Sequence, residues 1–236
     1  MNVILLNQEQ IHQHTAIIHD PNTIKHIKTV LGAGVGDDLK VGQIGGLLGT
    51  AIIRQIDDVV VLDDVHLTKK SPDKLDLTVV LALPRPKVLR RLVMDMTAMG
   101  VSQMVLMNSY RTDKSYWGSP LLARLDEFVL EGLQQGVDTI PPKIILAKRF
   151  KPFVEDELPA MIGDGRAMVA HPYAQTRLAD YLADGLPKVM IVGAEGGFIP
   201  YEIKLLQSVG VQAVSFGDRI LRTEAAVNAL LGRWLG

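Results

Sequence analysis

The sequence predicts a small β-barrel over residues 1–70 and, over residues 75–236, an α/β domain built on a mainly parallel sheet. Three observations carry this. The first part is a series of short β-type runs punctuated by Gly-Gly and Asp-Asp pairs. From Leu75 onward strand-like and helix-like patterns alternate, as expected of parallel strands whose crossover helices cover both faces of the sheet. Between the two lies Lys69-Lys70-Ser71-Pro72-Asp73-Lys74, a polar stretch with a proline that reads as a linker. A chain of 236 residues can bury roughly 70% of its unfolded surface, enough for a full core.

Val3 to Leu6 reads as a short opening strand. Pro21-Asn22-Thr23 starts a helix whose apolar face is Ile24, Ile27, Val30 and Leu31, and Gly32, Gly34 and Gly36 end it. Leu39–Gly42, Gly49–Ile56 and Val59–Leu62 supply the remaining β-type runs of the barrel. In the second part strands are expected at Leu77–Leu83, Met104–Met107, Ile144–Leu146, Ala167–Ala170, Val189–Val192 and Ala213–Phe216. Val88, Leu89, Leu92, Val93, Met96 and Met99 mark a helix stopped by Gly100, and Leu121, Leu122, Leu125, Phe128, Val129 and Leu133 mark another. Pro200 sits where a first helical turn tolerates proline, and Val227, Leu230, Leu231 and Trp234 mark a C-terminal helix.

Composition removes several classes of function. Without cysteine there is no disulfide scaffold, thiol nucleophile or thiolate metal site. The apolar run before Asn7 is too short for a signal sequence, and Val79–Leu83 falls far below the roughly 18 residues of a membrane span, so a soluble, cytoplasmic protein without a membrane partner is expected. A formal net charge of −1 gives no whole-molecule field toward nucleic acid, so any RNA must be met by locally placed basic residues. His12, His14, His19, His26 and His66 crowd the first part without a convincing ligand set, and no metal is expected. The chain has no G-x-G-x-x-G after its first long strand and no Walker A pattern, which counts against a dinucleotide-binding domain or a P-loop NTPase.

Ligands of α/β sheets bind at the C-terminal ends of strands, and three such ends stand out. They are Val169-Ala170-His171-Pro172, the glycine loop Gly193-Ala194-Glu195-Gly196-Gly197-Phe198, and Phe216-Gly217-Asp218-Arg219-Ile220-Leu221-Arg222-Thr223-Glu224. Glycines directly after a strand let the backbone meet a ligand without a Cβ in the way, although a tight turn alone asks for the same residues. Arg219 and Arg222 flank an Ile-Leu pair that reads as core. That gives them either a binding role or a structural pairing, Arg222 with Glu195 or Arg219 with Asp218. Arg85, Lys87, Arg90 and Arg91 form the densest basic group, and Arg111, Lys114, Tyr116 and Trp117 add an arginine–lysine–aromatic group at the next strand end. Both suit phosphate contact and base stacking, and both equally suit a solvated helix face and a packed aromatic loop.

Taken together, the glycine loop and the segment Gly217 to Ala226 resemble the C-terminal signature of the ribosomal RNA small-subunit methyltransferase E family. His171-Pro172 and His26-Ile27-Lys28-Thr29-Val30-Leu31 match in order and spacing, so the resemblance covers essentially the whole chain. It implies a SPOUT-type α/β domain ending in a deep trefoil knot, behind a PUA-like barrel that binds RNA, in a homodimer. It implies S-adenosylmethionine as cofactor, held by Ala170, His171, Gly193, Glu195, Gly196, Gly197, Phe216, Gly217, Ile220, Leu221 and Thr223. The implied target is N3 of a uridine in 16S rRNA of the small ribosomal subunit, with Arg85, Lys87, Arg90, Arg91, Arg111 and Lys114 toward the RNA.

The chain departs from the family pattern in places. Ala194 and Asp218 stand where proline is usual, Ala98-Met99-Gly100 replaces Glu-Leu-Gly, Leu133 to Val137 lacks an acid and an arginine, and Gly32 replaces an arginine. The cofactor motifs are kept better than those toward RNA, which leaves a second reading: a catalytically silent RNA-binding or ribosome-assembly factor on the same scaffold. For the enzyme, methyl transfer from a sulfonium to uridine N3 is an in-line displacement that needs aligned reactants and stabilisation of the charge spreading to O2 and O4. Arg222 and then Arg219 are the candidates for that charge, and Glu195 for orienting an arginine or accepting a proton. His171 is either a further proton acceptor or hydrogen-bonded structure, and a hydrolase built on it would lack a nucleophile elbow.

Overall fold

Asp20 caps the first helix by accepting the backbone N–H of Thr23 at 2.7 Å, with Pro21 at the first helical position. This helix, α1 (Pro21–His26), runs into a π turn at Ile27–Leu31. The wider turn breaks the expected apolar face. Ile24 and Ile27 are buried, but Val30 is 68% exposed and Leu31 43% exposed. The computed structural model describes residues 2–235, which divide into two units, Met1–Asp73 with Val129–Pro141 and Lys74–Phe128 with Pro142–Gly236. Val129–Pro141 thus groups with the N-terminal unit although it lies far beyond the polar stretch at 69–74.

The N-terminal unit is built on a six-stranded sheet of β1 (Ile4–Leu6), β2 (Ile11–His12), β3 (Thr15–Ile18), β4 (Asp38–Gln43), β5 (Leu48–Ile56) and β6 (Val60–Lys69), in the order β1-β4-β5-β6-β3-β2. β1 pairs with β4 in parallel and the other pairs are antiparallel. The expected barrel takes the form of this curled sheet. Register shifts between β5 and β6 bend it, and at Gly49 the backbones come so close that a Cβ would lie 1.7 Å from the His66 carbonyl oxygen. Ile4, Leu6, Ile18, Ile27, Val41, Ile53 and Leu62 form the core inside the curl.

The second unit carries a seven-stranded, all-parallel sheet of β7 (Leu75–Ala82), β8 (Val101–Met107), β9 (Lys143–Ala147), β10 (Ala167–Ala170), β11 (Thr176–Arg177), β12 (Val189–Val192) and β13 (Val211–Ser215). Its order is β11-β13-β10-β12-β7-β8-β9. Its helices are α2 (Pro86–Ala98), the first turn of α3 (Leu125–Gly136, which passes into the N-terminal unit at Val129), α4 (Phe150–Pro152), α5 (Leu158–Ile162), α6 (Leu178–Leu182), α7 (Pro200–Ser208) and α8 (Thr223–Leu231). Successive strand residues face opposite sides, and in β7 both Val79–Leu81 and Val80–Ala82 positions are fully buried, so both faces are covered. Val80, Val105, Val169 and Ile191 pack with Phe153, Leu158, Ile203 and Leu206 on one side. α2 and α8 pack together by β8 and β12. No helix among the described residues is long and apolar enough to cross a membrane.

Candidate functional site

Because every strand of the second sheet is parallel, all its C-terminal ends lie along one edge. Adjacent along that edge, in strand order, come the loops after β13 (216–222), β10 (171–175), β12 (193–199), β7 (83–85) and β8 (108–124). The three segments singled out from the sequence are therefore neighbours. β12 was inserted between β7 and β10 after both, so the order of the sheet reverses where the β7 and β12 loops meet, the place at which open α/β sheets bind ligands.

The glycine loop is shaped largely by the protein itself. Gly197 donates its N–H to the Ala194 carbonyl at 2.8 Å, closing a tight turn. At Gly196 a Cβ would lie 2.9 Å from the Cβ of Arg111, whose guanidinium donates to the Gly196 carbonyl. The space this glycine leaves free is thus filled by the Arg111 stem. Thr223, buried at the start of α8, donates its hydroxyl to the Gly193 carbonyl at 3.3 Å, which joins the third segment to the glycine loop. His171 donates its backbone N–H to Val214 at 2.9 Å and its ring meets Tyr173 edge-on at 5.7 Å. Burial pushes the His171 imidazole below its ordinary range, so it is neutral at pH 7 and keeps an acceptor nitrogen.

The arginines are arranged differently from the sequence expectation. Ile220 is 71% exposed and Leu221 39% exposed, so the pair between Arg219 and Arg222 is not core. It lies in the irregular segment between β13 and α8, where no strand or helix turns it inward. Neither expected pairing forms. Glu195 takes Arg85 at 3.0 Å, and Asp218 takes Arg177 at 3.6 Å. Among the described residues no ion pair holds Arg219 or Arg222, and Arg222 stands exposed at the N-cap of α8. Phe216 and Gly217 are half-buried beside them, and Ala170 closes β10.

Of the basic group on α2, Arg91 pairs with Glu224 of α8 at 2.9 Å, while Arg90 and Arg124 lie over the Phe128 ring at 5.6 and 5.9 Å. These side chains serve packing as well as surface charge. Lys87 and Lys114 are exposed, and Trp117 is held by Asn108, which accepts its Nε1–H at 2.8 Å. Among the described residues no cluster of three or more histidines and carboxylates could hold a metal.

One functional-edge residue was not read from the sequence. Glu202 on α7 is only 2% exposed, and its two oxygens accept the backbone N–H groups of Tyr110 at 2.7 Å and Ile199 at 2.9 Å. The second bond is legible as a capping pattern two residues after Pro200. The first joins α7 to the loop after β8 across 92 positions and leaves no local trace.

A family model described as an RNA methyltransferase domain matches residues 71–235. The chain is 28% identical to the ribosomal RNA small subunit methyltransferase E of Treponema pallidum, covering 97% of this chain and 88% of that one. It is 24% identical to the ribosomal RNA small subunit methyltransferase E 1 of Borreliella burgdorferi, over 97% and 95%. Among solved structures it superposes, at a TM-score of 0.75 and 20% identity, on the ribosomal RNA small subunit methyltransferase E of Neisseria gonorrhoeae bound to S-adenosylmethionine, with 98% and 96% covered.

Proposed function

The chain belongs to the RNA methyltransferase domain family, and from that premise we propose that it transfers a methyl group from S-adenosylmethionine to N3 of a uridine in 16S rRNA of the small ribosomal subunit. The observation that carries the reading is the meeting, on adjacent strand ends, of the glycine loop, His171 and the Arg219–Arg222 segment. The reading includes the homodimer and the C-terminal knot that the resemblance implies.

The residues present fit the cofactor. Ile220 and Leu221 leave apolar surface uncovered at the strand ends, suited to an adenine face. Backbone groups of Gly193, Gly197 and Gly217 and the half-buried Phe216 complete the candidate contacts. Bound there, S-adenosylmethionine supplies an electrophilic methyl group.

The protein's own tasks are orientation and charge. Arg222 has no carboxylate partner among the described residues, so its guanidinium is available to two oxygens of a uracil as N3 loses its proton, and Arg219 stands three residues away as its neighbour. Glu195 spends one oxygen on Arg85, which makes it an anchor of the glycine loop with its second oxygen left for an orienting contact. Neutral His171 offers a ring nitrogen at the end of β10 as a proton acceptor.

The test is methyl transfer from labelled S-adenosylmethionine to purified small subunits and to free 16S rRNA, with mass mapping of the product. A single methyl on the base of one uridine is expected. Absence of transfer to either RNA form, by protein that binds the cofactor, would overturn the reading in favour of a silent assembly factor.

A further inference from the structure

We infer that Tyr110 is a stacking platform for an unpaired base of the RNA substrate, on a loop that the buried Glu202 carboxylate holds in place. The inference rests on the reading of the chain as acting on RNA. Its grounds are the contrast between a loop fastened at nearly every residue and one large ring left in solvent.

From 108 to 113 the fastenings follow one another. Asn108 accepts the Trp117 indole N–H at 2.8 Å, and the buried hydroxyls of Ser109 and Thr112 meet at 2.9 Å. The Tyr110 N–H goes to Glu202 at 2.7 Å, Arg111 donates to the Gly196 carbonyl, and Asp113 caps the next turn through the Ser115 N–H at 2.9 Å. The Tyr110 side chain, by contrast, is 78% exposed. A ring that packs for stability is covered; an aromatic ring on a pre-ordered loop loses little freedom when something binds to it. Its flat face accepts any unstacked base, the way single-stranded RNA is usually read. The exposed Lys114 four residues on supplies charge for a neighbouring phosphate.

Glu202 gives the loop its fixed position. A carboxylate 2% exposed is costly unless hydrogen-bonded, and here two amide N–H groups from two separate strand-end loops serve it. One of those loops carries Tyr110 and the other carries the glycines. A base seated on Tyr110 is thereby held at a set place relative to the glycine loop, which is what an in-line transfer needs. Tyr110 is then a specificity residue that touches RNA, and Glu202 a positioning residue that acts through it.

The experiment is filter retention of free 16S rRNA by the full chain, for wild type, Tyr110→Phe, Tyr110→Leu, Tyr110→Ala and Glu202→Gln, with melting curves and cofactor affinity measured alongside. Tyr110→Phe should bind within about twofold of wild type, while Tyr110→Leu and Tyr110→Ala should lose at least about fivefold at unchanged Tm and cofactor affinity. The salt dependence of binding should not change, since no phosphate contact is removed. Folded Glu202→Gln, which keeps one acceptor oxygen where two are needed, should also lose RNA affinity; wild-type affinity there would remove its positioning role. Tyr110→Ala binding like wild type, Tyr110→Leu binding like Tyr110→Phe, or wild type failing to retain RNA would each overturn the stacking role. If wild type transfers no methyl group while the Tyr110 series still loses RNA, the methyltransferase reading falls and the stacking role stands.

Discussion

Arg85 gives both its backbone N–H, at 3.3 Å, and its side-chain Nε–H, at 3.0 Å, to one oxygen of Glu195, 110 residues further along the chain. The pair joins the loop after β7 to the glycine loop after β12, and the carboxylate holds the Arg85 guanidinium above its ordinary range. Arg85 therefore acts on the glycine loop before it acts on any phosphate.

Arg85→Ala should weaken S-adenosylmethionine binding by about two- to fivefold, because an exposed ion pair contributes modestly. Thermal stability should hardly change. Calorimetric titration beside a melting curve checks this, and unchanged cofactor affinity would confine Arg85 to the RNA surface.

Gly196→Ala should drive the new Cβ into the Arg111 stem, 2.9 Å away, at a cost of about 1–3 kcal/mol in stability. The double variant Gly196→Ala with Arg111→Gly, which removes the Arg111 Cβ itself, should recover most of that loss. Chemical denaturation of the four proteins forms the cycle. If the double variant stays as unstable as the single one, the glycine is required by something other than Arg111.

Arg222→Lys should leave Tm and cofactor affinity as they are and lower kcat by on the order of 10²–10³, the usual loss when one transition-state donor is removed. Lysine keeps the charge but not the planar two-point fork. Single-turnover methylation at saturating cofactor measures it. A fully active Arg222→Lys protein would transfer the role to Arg219.

His171 resists protonation in the folded protein because burial lowers its pKa, whereas in the unfolded chain it titrates near its ordinary value of about 6.5. The unfolded state binds more protons below that value, so stability should fall as pH drops below about 6.5 and level off once the folded-state imidazole also charges. His171→Asn should flatten this part of the curve. Tm measured from pH 8 to pH 5 for both proteins decides it, and parallel curves would remove His171 as the source.

Much of this was legible along the chain, for a physical reason. β10 and β12 were read to the residue because strands buried on both faces are uninterrupted apolar runs, Ala167–Ala170 and Val189–Val192. The β2–β3 hairpin is not legible because Ile11-His12-Gln13-His14-Thr15 mixes polar residues into a half-exposed edge. The helical stretch 150–162 is not legible because Pro152, a π turn and Pro159 break its period. β8 and β6 run longer than expected, since β8 begins at Val101 with polar Ser102 and Gln103, and β6 continues past Leu62 through charged residues to Lys69. The loops that meet at this strand-end edge are legible as motifs, but their pairings are not. Glu195 with Arg85 and Glu202 with Tyr110 span 110 and 92 positions, and nothing local to either partner announces the other.

The placement of β12 has a consequence for biosynthesis. The middle strand of the seven, Val189–Val192, is the sixth of them to leave the ribosome. Until it arrives, β7 and β10 each present an open, largely apolar edge with no neighbour in the nascent chain, and such edges invite pairing with other chains. The sheet cannot be completed outward from a finished centre; its keystone arrives late, and most of its contacts are between segments far apart in sequence. Slow folding is the expected outcome of that high contact order. A chain that terminated at Lys188 would not be a shortened version of the domain: β7, β8 and β9 could pair, while β10 and β11 would have lost every sheet neighbour.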